Sequence, residues 1–445
     1  MKVLLFIEKI MKRKILISKS LFYLILLSLF FNSCDKSKNK VKVPKVEIKY
    51  KNGHAQLYRN GLPYHIKGAS GTEHLEKVSL YGGNSIRTWS LHNAKELLDE
   101  AQTYGLTVTL GLEIGRPYWG EDFNYWNLIE VDKKIEELRP SIEEFKEHPA
   151  LLMWGVGNEV TLKGGNRYLI YYIINRIAKM VKEEDPDHPV MTAINIQTIG
   201  RIKYLMTHID VLGYNGFGLI EDFYKKDKNY TEKGWGKAYL LTEWGPPGHW
   251  EVNDTEWGAP LELSANEKLS YLKKNWELMN QDSNAFLGSY AFYWGNKFEI
   301  TPTWFSHFSE KGLEAGSVNF LKSSWSGETF NNPAPNLTQM VIGNKISEVN
   351  TYLRADSIYS AKTFVARKEN ENLKYKWEIR PEESKFYKID DYQHNMDYLM
   401  IKDDSESITF KAPKNEGPYR IFVYVSDDKG NFTSHNIPFY VVNGE

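Results

Sequence analysis

The chain has 445 residues, more than one ordinary domain needs, and its 56 basic and 57 acidic side chains nearly cancel. A chain this close to neutral projects no global field toward nucleic acid, so no nucleic-acid partner is expected. Aromatics make up 14% of it, with 13 Trp and 28 Tyr, a richness that suggests aromatic surfaces beyond core filling.

Residues 1–33 read as a leader. MKRKILISKS from Met11 is basic, and LFYLILLSLFF (21–31) is apolar for 11 residues, too short to span a bilayer and suited to a signal-peptide core. Cys34 follows, the chain's one cysteine, so no disulfide within the chain is expected. The stretch ending in Phe31-Asn32-Ser33-Cys34 resembles a bacterial lipobox, although its three residues before the cysteine depart from the common Leu-Ala-Gly type. The resemblance implies cleavage before Cys34, a lipid on that residue, and a bacterial cell-envelope location at the outer membrane or cell surface. Residues 34–45 are polar and Lys-rich, as a flexible tether would be.

VEIKYKNGHAQLYRNGLPYHIKGAS (46–70) carries two Asn-Gly dipeptides between alternating apolar runs, which predicts a hairpin leading into a first buried strand. A rhythm of short apolar runs and helix-like stretches follows. The runs are 64–70, 84–90, 107–114, 151–159, 189–195, 210–217, 238–244 and 288–294. Between them, 94–105, 131–148, 168–185 and 265–281 place apolar residues at three- and four-residue spacing. Eight such alternations predict a (β/α)8 barrel over 46–321. Residues 322–345 are rich in Ser, Asn and Pro and predict a linker, and 346–445 show short alternating strands that predict an all-β, immunoglobulin-like sandwich. A monomer is expected.

In such a barrel the chemistry sits at the C-terminal ends of the strands. The second run ends with Arg87 and Trp89, and the third with Glu113. Asn158 and Glu159 end the fourth, Tyr214 and Asn215 the sixth, Glu243 and Trp244 the seventh, and Trp294 the eighth. Two carboxylates on strands four and seven would face each other across the mouth, the arrangement that glycosidic-bond cleavage requires. His74, just past the first strand, is a further substrate-contact candidate. Plainer readings stand beside these: an ion pair for Arg87, core filling for Tyr214 and Trp294, a rim position for Glu113.

HPALLMWGVGNE (148–159), LGYNGF (212–217) and LLTEWG (240–245) resemble the strands of clan A retaining glycoside hydrolases, and the first is close to the form seen in family 2 catalytic barrels. The resemblance covers about residues 55–320 and departs from family 2 in having no sandwich domains ahead of the barrel. It implies that Glu159 is the acid/base and Glu243 the nucleophile. It further implies that Asn158 holds the sugar 2-hydroxyl, that Tyr214 hydrogen-bonds Glu243, that Arg87 keeps Glu243 ionised, and that Trp294 floors the sugar site. Trp89 and Trp244 are placed with the substrate-binding residues. Aromatic loops at 116–126, 243–258 and 294–305 would line a glycan cleft.

The expected activity is cleavage of a β-linked polysaccharide or oligosaccharide, as an endo-acting β-glucanase with β-1,3 linkage as the specific reading. A transglycosylase using the same pair and a non-catalytic glycan-binding lipoprotein are the alternatives. No cofactor or metal is expected, because no ligand spacing, phosphate loop or Gly-x-Ser-x-Gly elbow occurs.

Overall fold

The computed structural model describes residues 45–443 except 118–119, 122, 163–165, 196–201, 228–234, 283, 331–332, 367–371, 383–398 and 402–404. The expected leader, Cys34 and nearly all of the tether lie outside the described residues. Among the described residues no helix is long and apolar enough to cross a membrane.

The chain enters through three short strands, β1 (Val46–Lys51), β2 (His54–Arg59) and β3 (Leu62–Pro63), which pair antiparallel in that order. Both Asn-Gly dipeptides make the connections. Asn52 and Gly53 have φ of 51° and 83°, Asn60 and Gly61 of 53° and 77°, the doubly left-handed geometry that matches strand twist. The predicted hairpin is thus a three-stranded sheet, and it has a structural task. Val46, Ala55 and Leu57 bury against Met153, Met191, Val211, Leu240 and Leu287 of the barrel, covering its N-terminal end.

Eight parallel strands close the barrel: β4 (Ile66–Ser70), β5 (Ser85–Arg87), β6 (Thr107–Leu112), β7 (Leu151–Asn158), β8 (Val190–Asn195), β9 (Val211–Gly216), β10 (Tyr239–Trp244) and β11 (Phe286–Ala291). Helices α1 (Leu75–Leu80), α2 (Ala94–Thr103), α3 (Leu128–Phe145) and α4 (Arg167–Glu184) follow the first four. α5 (Ala265–Met279) precedes the last strand, starting on a capping box in which Ser264 and Glu267 satisfy each other's backbone N–H groups. The barrel strands are buried on both faces, as parallel strands under a helical shell must be.

Segment 322–345 is not a simple linker. It contains the end of helix α6 (Gly316–Ser326) and strand β13 (Asn336–Ile342). Val318, Leu321 and Trp325 of α6 share one buried face, and Trp325 packs on Trp294 with ring centroids 5.3 Å apart. Helix α6 therefore belongs to the barrel.

The remaining strands form two sheets. β12 (Glu314–Ala315), β14 (Tyr352–Arg354), β16 (Lys374–Pro381), β17 (Leu399–Ile401), β19 (Gly417–Ser426) and β20 (Asn431–Val442) make one, and β13, β15 (Ile358–Ala366) and β18 (Ser407–Lys411) the other. Leu337, Met340 and Phe410 from the smaller sheet share a core with Trp377, Val423 and Phe439 from the larger. Arg420 donates to Pro260 O (2.7 Å) and Asn436 to Glu262 Oε2 (2.8 Å), so buried polar contacts join these sheets to the barrel.

Candidate active site

The site is built from the C-terminal ends of β5, β7, β9 and β10, spaced around the barrel mouth. Arg87, the last residue of β5, is 2% exposed, and an unpaired guanidinium there would be costly. Three bonds hold it: Nη1 donates to Glu243 Oε1 (2.9 Å) and Thr242 O (3.2 Å), and Nη2 to Asn158 Oδ1 (2.7 Å). Trp89 Nε1 donates to the same Glu243 oxygen at 2.8 Å. Glu243 is thus gripped at one oxygen by two donors that fix its direction.

Asn158 accepts from both Arg87 and Asn215 Nδ2 (3.1 Å) at its amide oxygen. Among the described residues its own NH2 group has no partner, which leaves it available to a ligand. Asn215 is held in turn by Thr242 Oγ1 (2.7 Å).

Glu159 follows directly, in the left-handed region at φ 50° after Gly157 at 72°. That conformation is uncommon for a residue with a side chain and costs on the order of 1 kcal/mol or more. The Glu159 N–H bonds Ala193 O on the next strand at 2.9 Å, which anchors the turn. Burial, then the negative charge of Glu243, pushes the Glu159 carboxyl up to about 8 against the opposing pull of Asn215, Arg87 and Arg116. At neutral pH Glu159 therefore holds a proton beside an oriented partner carboxylate. The pair is suited to proton donation on one side and nucleophilic attack on the other.

Aromatic rings extend this centre. Trp89 stacks on Tyr293 with centroids 6.1 Å apart and planes 16° off parallel, and its ring also meets Phe292 edge-on. Phe217, Phe292, Trp304 and Phe305 form a cluster beneath, against which Trp250, half exposed on the loop after β10, packs through Phe217 and Phe305. Gly111 on β6 makes room for this arrangement. A Cβ there would lie 2.3 Å from the Trp89 carbonyl carbon.

Three sequence assignments require correction. Tyr214 points outward. It is fully buried against Phe223 and Tyr239, and its hydroxyl has no partner among the described residues, so it does not touch Glu243. Trp244 likewise faces the helical shell and packs on Trp276 of α5. Trp294 is fully buried among His307, Phe308 and Trp325 and floors no open site; its partly exposed neighbour Tyr293 lies beside Trp89 instead. Two residues stand away from the carboxylate pair's hydrogen-bond network. His74 packs on Phe308 with centroids 4.3 Å apart, and Glu113 is exposed on the rim where its charge acts on Arg116.

The sequence reading gave no role to Asn215, Tyr293 or Arg116. Asn215 was visible beside Tyr214 at the end of the sixth strand, and Arg116 opens the aromatic loop after the third. Of that loop's aromatics, Tyr118 and Trp119 lie outside the described residues, while Trp126 is strongly exposed. Among the described residues no cluster of three or more His, Cys, Asp or Glu could hold a metal ion.

Fold and site together define a (β/α)8 barrel with two unlike carboxyl groups at its mouth, one holding a proton and one held by the Arg87 guanidinium and the Trp89 N–H. The comparisons are consistent with that class. Residues 75–249 match the family model described as "Glycosyl hydrolases family 2, TIM barrel domain".

Similar solved structures include a β-glucuronidase of Bacteroides uniformis, at 14% identity and a TM-score of 0.51, covering 90% of this chain and 48% of that one. The β-glucuronidase of Bifidobacterium dentium complexed with coumarin-3-O-glucuronide has 17% identity and a TM-score of 0.52, covering 64% and 49%. That of Ruminococcus gnavus has 14% and 0.50, covering 65% and 54%. The chain spans about half the length of these proteins, and the likeness is one of fold. No curated protein matches.

Proposed function

We propose that the protein is a retaining, endo-acting β-glycosidase that cleaves a β-linked glycan by double displacement. The observation carrying this reading is the unlike pair, Glu159 with its raised pKa and Glu243 held at one oxygen by Arg87 and Trp89.

Glu243 attacks the anomeric carbon and Glu159 gives its proton to the leaving oxygen. A covalent glycosyl-enzyme forms and neutralises Glu243. The charge that raised Glu159 is then gone, so Glu159 ionises readily and serves as base for the incoming water. Asn158, its oxygen occupied by Arg87 and Asn215, directs its NH2 group to the 2-hydroxyl. Endo action is supported by the exposed Trp126 and Trp250 on barrel-mouth loops, which suit stacking along an extended chain.

The proposed substrate is a β-glucan, with β-1,3 linkage as the first test. A lipid anchor at Cys34 and a cell-envelope location complete the proposal. Hydrolysis of a panel of β-1,3- and β-1,4-glucans, mannan and polyuronides by the native enzyme and by Glu159→Gln and Glu243→Gln tests it. Activity on one glycan, lost in both variants, is expected, and activity surviving both substitutions would remove the assignment. Detergent partitioning with and without Cys34→Ser tests the anchor.

A further inference from the structure

A second concavity lies where α1, α6 and the turn before β12 meet the turn between β19 and β20, with a cavity volume of about 600 Å³. That is within the ~300–1,000 Å³ usual for small-ligand sites, and none of the side chains around Glu159 and Glu243 lines it. Three lysines border it, Lys77, Lys322 and Lys429.

Its one lining carboxylate, Glu314, is already occupied, accepting from Lys77 Nζ (2.8 Å) and the Tyr81 hydroxyl (2.6 Å). Lys322 Nζ sits over two rings, 4.5 Å from the centre of Tyr81 and 4.1 Å from that of Phe330, which holds the ammonium in place without neutralising it. Among the described residues neither Lys322 nor Lys429 pairs with a carboxylate. Asp427 behind the turn is taken up by the backbone N–H groups of Lys429 and Asn431 and by the Asn431 side chain.

The wall therefore keeps two uncompensated cations, with the Asn319 amide beside them; Asn319 Nδ2 donates to the buried Asn431 Oδ1 (3.1 Å), which leaves the Asn319 oxygen facing the cavity's polar side. An inorganic anion would satisfy the charge and leave most of the volume empty. A sugar carrying an anionic group would use both, a hydroxyl donating to the Asn319 amide oxygen and its charge meeting the lysines.

We propose that this cavity is a non-catalytic binding site for an acidic saccharide, one bearing a carboxylate or a sulfate. The proposal rests on the glycan reading of the barrel.

The test is calorimetric titration of the full chain carrying Glu159→Gln, which blocks turnover. The probes are a galacturonate tetrasaccharide, a chondroitin sulfate tetrasaccharide and, as neutral control, cellotetraose. At least one acidic probe is expected to bind, with affinity falling as salt rises. Adding Lys322→Gln with Lys429→Gln should weaken it tenfold or more. Which acidic probe binds identifies the charged group. In the otherwise native chain the same two substitutions should leave hydrolysis of an aryl β-glycoside within twofold.

Failure of both acidic probes to bind, unchanged binding after the double substitution, equal binding of cellotetraose at this site, or equal competition by inorganic sulfate would each overturn the proposal. Binding without hydrolysis of any β-glycoside would retire the barrel's proposed function and leave this site standing. Hydrolysis without binding would do the reverse.

Discussion

Replacing Glu159 by Gln should make the protein more stable in mild alkali and leave its stability in acid unchanged. The native carboxyl titrates near 8 against 4.5 for an ordinary Glu, because burial and then Glu243 oppose its ionisation. Between those values the folded state binds a proton that the unfolded chain has released, so stability falls as pH rises through that window. Each pKa unit corresponds to about 1.4 kcal/mol, and part of the shift is shared with Glu243, so the loss by pH 8.5 is on the order of a few kcal/mol. Gln carries no ionisation penalty and keeps an amide beside Asn215. At about 2 °C per kcal/mol for a chain of this size, its Tm at pH 8.5 should exceed that of the native protein by several degrees. Below pH 4.5 the two should coincide. Thermal melts at pH 4, 6 and 8.5 measure this directly. Equal Tm values at pH 8.5, or a lower value for the variant, would refute the assignment of a proton to Glu159.

The same proton sets the alkaline limb of activity: kcat/KM should fall as pH rises through about 8, read from initial rates on an aryl β-glycoside. Arg87→Ala leaves Glu243 buried beside an empty space, and breaking such a pair costs roughly 3–5 kcal/mol, so denaturant melts should show a large loss together with lost turnover. Gly111→Ala should displace Trp89 and lower kcat without abolishing folding, checked by activity and circular dichroism. Tyr214→Phe should leave activity unchanged and stability equal or slightly higher, because it removes a buried hydroxyl that lacks a partner among the described residues.

The barrel was legible because its strands are short, apolar and bounded by turn signals, and because Asn158-Glu159 and Glu243 stand where such strands end. Glu243, Arg87 and Asn158 meet as strand-end logic requires. Side-chain parity was harder to read. Tyr214 and Asn215 are neighbours, both polar, and only one can face the mouth. The pairing of β9 with β10 shifts register between Leu241 and Glu243, so counting alternate residues along either strand misassigns its end. Past β11 the chain leaves strand geometry before Trp294, which turns into the core and leaves Tyr293 beside Trp89. The supposed linker hid a helix because the polar residues of 322–345 outweighed three apolar positions at helical spacing, two of them just ahead of that segment. Arg116 acts through charge across space, which spacing along the chain does not display.

The central claim is that Glu243 carries the sugar while Glu159 moves the proton. Its most direct test is mass spectrometry of Glu159→Ala incubated with an activated aryl β-glycoside, followed by peptide mapping. A glycosyl adduct on Glu243, released faster when azide is added, is the predicted result. An adduct on any other residue, or azide rescue of Glu243→Ala but not of Glu159→Ala to a product of retained configuration, would contradict the account.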